Sequence, residues 1–255
     1  MQTSPEWVVT PRRSASACVE GHRLTIIVPY RDRAEHLQVL LEAFEGYFLR
    51  ADVRVHDPLP RICIVEQAGS GPFNRGKLCN VGFDLNRGLL DYACFHDVDF
   101  VPTDVDYSFP RLPARVCSEG SRHREDLRFA FGGVVAFSVG DFERVNGYSN
   151  AYAGWGYEDS DLLLRVVRTG MQLESRPGQF RSLPHVPSER DLQGRVRPET
   201  KANQQRFLRR LTGAEAFWRY DGLGALRYVV EQRSQLAPAA SDQLEVNHYL
   251  VRIEL

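Results

Sequence analysis

The feature that most restricts how this chain can fold is the alternation, between Leu24 and Phe95, of short apolar runs with segments of helical period. Leu24-Thr-Ile-Ile-Val28 is β-branched, apolar and ended by Pro29, as suits a buried parallel strand. Leu37, Leu40, Leu41, Phe44 and Phe48 then recur at helical spacing, which predicts a helix from Ala34 to about Arg50 with one face for a sheet. Ile62-Cys-Ile-Val65 predicts a second strand, and Gly69-Ser-Gly-Pro72 a turn. Leu78, Val81, Gly82 and Leu85 predict a second helix, and Tyr92-Ala-Cys-Phe95 a third buried strand. A βαβαβ order of this kind makes an α/β chain with a Rossmann-like, mostly parallel central sheet.

The rest is less regular. Phe131–Ser138 predicts a strand, Glu158–Thr169 a helix, Met171–Glu174 a short strand, and the alternating segment from Gln243 to Leu255 a terminal strand. A chain of 255 residues can form one large core. The expected division is therefore a poorly ordered N-terminal arm over residues 1–22 and a single domain over 23–255. The formal net charge of -1 argues against nucleic acid as a partner. The N-terminal stretch has no apolar run long enough for a membrane span or a signal-peptide core, so a cytoplasmic location is expected. The five cysteines lack CxxC spacing, and several sit in apolar runs, which points to reduced core thiols.

Open α/β sheets bind ligands beyond the carboxyl ends of their strands, and those positions are polar here. The first strand runs into Pro29-Tyr-Arg-Asp-Arg33, the second into Glu66-Gln67 and the third into His96-Asp-Val-Asp99. In Asp97-Val98-Asp99 both carboxylates can reach a divalent ion or a ribose, with Val98 packed inward; two acids after a strand also serve as turn residues or caps. Arg31, Arg33, Arg75 and Lys77 offer cations for phosphate, or are solvated surface charges. Phe131-Gly-Gly133 and Gly154-Trp155-Gly156 join glycines to aromatic faces that suit a sugar, or form tight turns. Glu158-Asp-Ser-Asp161 opens a helix with three acids, which either complement its dipole or supply a base for a hydroxyl proton.

Taken in order, these segments resemble the β-1,4-galactosyltransferase family. The resemblance is carried by Ile26-Ile-Val-Pro-Tyr-Arg-Asp-Arg33, Phe73-Asn-Arg-Gly-Lys-Leu-Cys-Asn-Val-Gly82, Phe95-His-Asp-Val-Asp-Phe-Val-Pro102, Phe131-Gly-Gly133 and Gly154-Trp-Gly-Tyr-Glu-Asp-Ser-Asp161. It spans about Leu24 to His185, and Asp221-Gly-Leu223 with Tyr228 is similar to the family's C-terminal end. The resemblance implies a single GT-A-like domain and inverting transfer of galactose from UDP-galactose to an acceptor hydroxyl, forming a β-1,4 bond. Pro29, Tyr30, Arg31, Arg33, Phe73 and Arg75 would then hold UDP, Asp97 with Val98 would meet the donor, and Gly133, Trp155 and Glu158 would line the sugar site. Asp159 corresponds to the general base. Asp99 and His185 would bind Mn²⁺, with Mg²⁺ as the alternative; Ser182 stands where the family has a methionine or second histidine.

Two departures carry further expectations. The family's usual disulfides and membrane anchor are not reproduced, as in a soluble bacterial member. Ala130 replaces the tyrosine that precedes the Gly-Gly pair in galactose-specific members, which leaves room for UDP-N-acetylgalactosamine as the donor. The acceptor is expected to be a carbohydrate or glycoconjugate. The rival readings are an N-acetylgalactosaminyltransferase and a non-catalytic nucleotide-sugar-binding protein.

Overall fold

A computed structural model of the chain describes residues 7–9, 19–49, 56–116, 131–176, 178–184, 193–213, 217–236 and 243–253. The three runs that dominate the N-terminal half are strands β3 (Leu24–Tyr30), β5 (Arg61–Gln67) and β6 (Tyr92–His96), joined through α1 (Ala34–Phe48) and α2 (Arg75–Leu85). The segment expected as an arm holds β1 (Trp7–Val9) and β2 (Val19–Glu20), and β2 pairs parallel with β4 (His56–Asp57). Further along lie β7 (Phe100–Val105), β8 (Ala114–Arg115), β9 (Val134–Ser138), α3 (Val139–Arg144), α4 (Glu158–Arg168), β10 (Leu173–Ser175) and β11 (Gly178–Ser182). The chain closes with α5 (Pro198–Thr212), β12 (Tyr228–Leu236) and β13 (Val246–Ile253).

Nine of these strands form a sheet in the order β1-β10-β8-β9-β6-β3-β5-β13-β12. At its centre β3 runs parallel to both β5 and β6, and β13 adds parallel to β5. Only β9, antiparallel to β6 and β8, and the edge strand β12 reverse the direction. The sheet is therefore mostly parallel, with helices on both faces, as the βαβαβ pattern predicts.

Strand alternation sorts the apolar residues into two cores. Ile26, Val28, Ile62 and Ile64 meet Leu40, Phe44 and Phe48 of α1 on one face. Ile27, Cys63 and Val65 meet Leu78, Val81 and Phe83 of α2, together with Phe142 and Leu162, on the other. Gly82 lets α2 lie close on the sheet, since a Cβ there would stand 2.4 Å from Ile27 Cγ2. Cys63, Cys79 and Cys94 are buried free thiols, as expected; Cys18 and Cys117 lie outside the described residues.

Several elements differ from expectation. The strand expected from Phe131 begins at Val134, because Gly133 has a φ of +77° and turns the chain first. The region from Val101, which has no pattern to read, begins within β7, which pairs antiparallel with β11 in a separate ribbon. That ribbon carries the chain past the third strand end, where the Leu183 backbone N–H donates to the Asp99 carbonyl at 2.8 Å. Among the described residues no helix is long and apolar enough to cross a membrane.

Candidate active site

Each central strand releases a polar segment at the same edge of the sheet. At the end of β3, Tyr30 is buried, and beyond it Arg31 turns across to the glycine turn, where its Nη1 donates to the Gly71 carbonyl at 2.6 Å. The Arg31 guanidinium also lies 5.4 Å over the Phe73 ring. The turn itself is held by Gln67, whose amide donates to the Pro72 carbonyl and whose Oε1 accepts from the Asn74 backbone N–H. Asn74 then caps α2 by accepting from the Lys77 N–H at 2.9 Å, which starts the helix at Arg75 and turns that side chain toward the third strand end. An Asn three residues before Lys77 is an N-cap signal visible in sequence, and Asn74 belongs among the residues that build the site.

At the end of β6, His96 turns inward: its ring is fully buried between the Asp97 carbonyl and the Tyr107 hydroxyl, at 2.9 and 3.0 Å. Burial holds its pKa down at about 4, so the ring is neutral at physiological pH. The Asp97 backbone N–H donates to the Gly133 carbonyl, which ties the strand end to the Gly-Gly pair. Val98 is buried, as expected, and Asp99 Oδ2 lies 3.6 Å from Arg33 Nη1.

The Gly154–Tyr157 turn packs against this edge. The Gly154 N–H donates to the Phe73 carbonyl, and Gly154, Gly156 and Tyr157 all have positive φ, so the chain doubles back sharply before α4 begins at Glu158. Trp155 is 40% exposed and available to a ligand. The three acids that open α4 part ways. Asp161 is fully buried and structural, paired with Arg165 and Arg210 at 2.8 Å each. Asp159 faces the site, where Oδ1 accepts from Arg75 Nη1 at 2.9 Å. Gly132 is its floor, since a Cβ on that residue would stand 2.1 Å from Asp159 Oδ2.

Arg75 is the hub: its Nε donates to Asp97 Oδ1 at 2.6 Å while Nη1 holds Asp159. Burial alone would lower its pKa, but the charges of Asp159 and Asp97 raise it well above the ordinary value. Burial pushes the Asp159 carboxyl upward, aided by Glu158 and Asp97 and opposed by Arg75; Glu158 is raised in the same way. The structure joins Asp97 and Asp159 through Arg75, ties Gly133 to Asp97, sets Arg31 over Phe73 and places Arg33 beside Asp99; Pro29 and Tyr30 end β3, and Trp155 and Glu158 lie at the turn into α4. His185 and Ala130 lie outside the described residues. Among the described residues no three His, Cys, Asp or Glu side chains cluster to hold a metal. The carboxylate of Asp99 is a hard oxygen donor that suits Mg²⁺ or Mn²⁺, and a metal ion there would displace the contact with Arg33.

A sheet of this order, with acids at the end of its third central strand, is the GT-A glycosyltransferase architecture. The catalytic domain of Drosophila β-1,4-galactosyltransferase 7, crystallised with xylobiose, superposes with a TM-score of 0.72 at 25% identity, covering 92% of this chain and 95% of that one. A variant of the same Drosophila enzyme has been crystallised with manganese, UDP-Gal and xylobiose. The family model for the N-terminal region of glycosyl transferase group 7 matches residues 2–109, and that for the N-terminal domain of galactosyltransferase matches residues 116–188. β-1,4-galactosyltransferase 1 of Mus musculus is 34% identical over 237 residues, which cover 89% of this chain and 55% of that protein. β-1,4-galactosyltransferase 2 of Cricetulus griseus is 32% identical over 249 residues, 91% of this chain and 62% of that protein. The chain belongs to the β-1,4-galactosyltransferase family, and it spans somewhat more than half the length of these relatives.

Proposed function

We propose that the chain catalyses inverting, divalent-metal-dependent transfer of galactose from UDP-galactose to a hydroxyl of a carbohydrate or glycoconjugate acceptor, with a β-1,4 linkage. The observation that carries this reading is the placement of Asp159 and Asp97 on one buried guanidinium at the strand ends, over a floor that only glycine permits. In the reaction the acceptor oxygen attacks C1 of the sugar from the face opposite UDP. The C1–O bond to the acceptor forms, the C1–O bond to the diphosphate breaks, and Asp159 accepts the hydroxyl proton.

The chain's residues divide the remaining work. Arg31 and Phe73 form a cation-and-ring shelf for the nucleotide beside Pro29, Tyr30 and Arg33. Glu158 and Asp97 receive sugar hydroxyls, and Trp155 and Gly133 bound the sugar. Fixing both substrates in line removes much of the entropic barrier. Asp99 and His185 would hold Mn²⁺ or Mg²⁺, whose charge offsets that gathering on the departing diphosphate. The manganese and UDP-Gal bound by the Drosophila enzyme of the same fold support this reading. The three buried free thiols suit a reducing, cytoplasmic setting.

The test is donor turnover measured as UDP release with Mn²⁺ and a panel of carbohydrate acceptors. Asp159→Asn should lower kcat by about a hundredfold to ten-thousandfold with UDP affinity little changed. Asp99→Ala should abolish Mn²⁺-dependent turnover while retaining the fold. Full activity in either variant would refute the corresponding assignment. Comparison of kcat/KM for UDP-galactose and UDP-N-acetylgalactosamine, in the parent and in Ala130→Tyr, decides between the two donors.

A further inference from the structure

The sequence expectation for Arg75 is nucleotide binding, but its surroundings indicate another duty. The guanidinium is fixed from three sides: Nε on Asp97 at 2.6 Å, Nη1 on Asp159 at 2.9 Å and on the Tyr148 hydroxyl at 3.4 Å, with the Tyr148 ring 5.6 Å beneath it. Its side chain is only 10% exposed. Of its nitrogens, Nη2 alone is buried without a hydrogen-bond partner, and an orphaned buried donor needs an explanation.

We propose that Arg75 is the positioning residue of the active site, a single planar cation that aims the Asp159 carboxylate and fixes its distance from Asp97, leaving Nη2 for the donor. This deepens the proposed function and rests on Asp159 being the base. Three arguments support it. The guanidinium fork spans two carboxylates that come from different elements, the end of β6 and the start of α4, which a point ammonium cannot do with the same geometry. Gly132 closes the opposite side of Asp159, so that carboxylate is trapped between a backbone floor and the fork. Finally, the groups whose charges act on Asp159 are Arg75, Glu158 and Asp97, and among these Arg75 is the one cation. Tyr148 and Cys79, which adjoin the pair, are held neutral by burial. Without Arg75, three carboxylates share a buried site, and Asp159 retains its proton to higher pH.

The experiment compares Arg75→Gln and Arg75→Lys with the parent. It measures kcat, donor KM, UDP affinity by calorimetry in the presence of Mn²⁺, and the pH dependence of kcat/KM. Arg75→Gln should lose at least about a hundredfold in kcat, with UDP affinity changed by less than about tenfold, and the acid limb of kcat/KM should move to higher pH. Arg75→Lys restores the charge, so its acid limb should return toward the parent's while kcat stays reduced by about tenfold or more. If Arg75→Gln fails to fold by circular dichroism, Arg75→Lys decides. A loss confined to donor KM and UDP affinity, with kcat and the acid limb unchanged, overturns the proposal and leaves Arg75 a donor ligand. Normal kcat in Asp159→Asn, measured alongside, would locate the failure in the base assignment.

Discussion

Residues two positions apart in Glu158-Asp-Ser-Asp161 serve opposite ends. Asp159 reaches the strand edge and Asp161 the core, because two residues along a helix are rotated by about 200° onto opposite faces. The acids are visible in sequence as helix-opening carboxylates; local pattern alone does not say which of them faces a ligand, since all three favour the helix dipole, and only the family resemblance singles out Glu158 and Asp159. Gly132 shows the same limit. A Gly-Gly pair signals close approach of something, and only the folded chain identifies it as the Asp159 carboxylate. Gly132→Ala should therefore displace the base without strain in its own backbone. Kinetics on that variant should show kcat down by at least about tenfold while the thermal midpoint moves only a few degrees, since a small misplacement of a catalytic group is costly. Unchanged kcat would mean that Asp159 can shift and still work.

At the scale of elements, α5 is the part that no sequence pattern announced. Most of Pro198–Thr212 is polar, and its only buried residues are Thr200 and Asn203, so it lacks the apolar stripe by which helices are read. Its function is to brace the Gly154–Tyr157 turn. The Asn203 amide donates to the carbonyls of Ala153 and Trp155 at 3.0 and 3.3 Å, and the Glu199 side chain fills the space that the missing Gly154 Cβ leaves. Asn203→Ala should cost about 1–3 kcal/mol by removing donors from two carbonyls at a packed contact, readable as a shift in urea midpoint at constant slope. Thr200→Val makes the control. The Thr200 hydroxyl is buried with no partner among the described residues, so its loss should leave stability unchanged or slightly raised. Equal destabilisation by both substitutions would show that α5 matters by packing alone.

Taken whole, the molecule couples its stability to pH through the third central strand. His96 is neutral in the fold down to about pH 4, whereas unfolded histidine takes up a proton near 6.5. Between those values the unfolded chain binds more protons, so this contribution is complete above about pH 6.5 and is lost as pH falls toward 4. At pH 5 the loss should reach about 2 kcal/mol relative to pH 7.5. The raised carboxyls of Glu158 and Asp159 act in the opposite sense, so the measurement is the difference between parent and His96→Gln, which cancels them. Urea midpoints should fall more steeply with acid in the parent, and parallel pH profiles would disprove the coupling.

The local pattern alone determined the central sheet, its strand ends and the families of residues gathered there, because β-branched runs buried on both faces and helices with one apolar face leave few arrangements open. Leu24–Val28, Ile62–Val65 and Tyr92–Phe95 lie within strands of that sheet, and the helix expected from Ala34 starts at that residue. Tertiary structure decided what depends on partners distant along the chain. It joined Arg75 to Asp159 across 84 positions, turned His96 inward while leaving Asp97 at the edge, and gave the polar α5 a place against a glycine turn. Charge pairing and hydrogen bonding act through space over a few ångströms and leave no period in sequence, so the roles of these side chains exist only once the chain has folded.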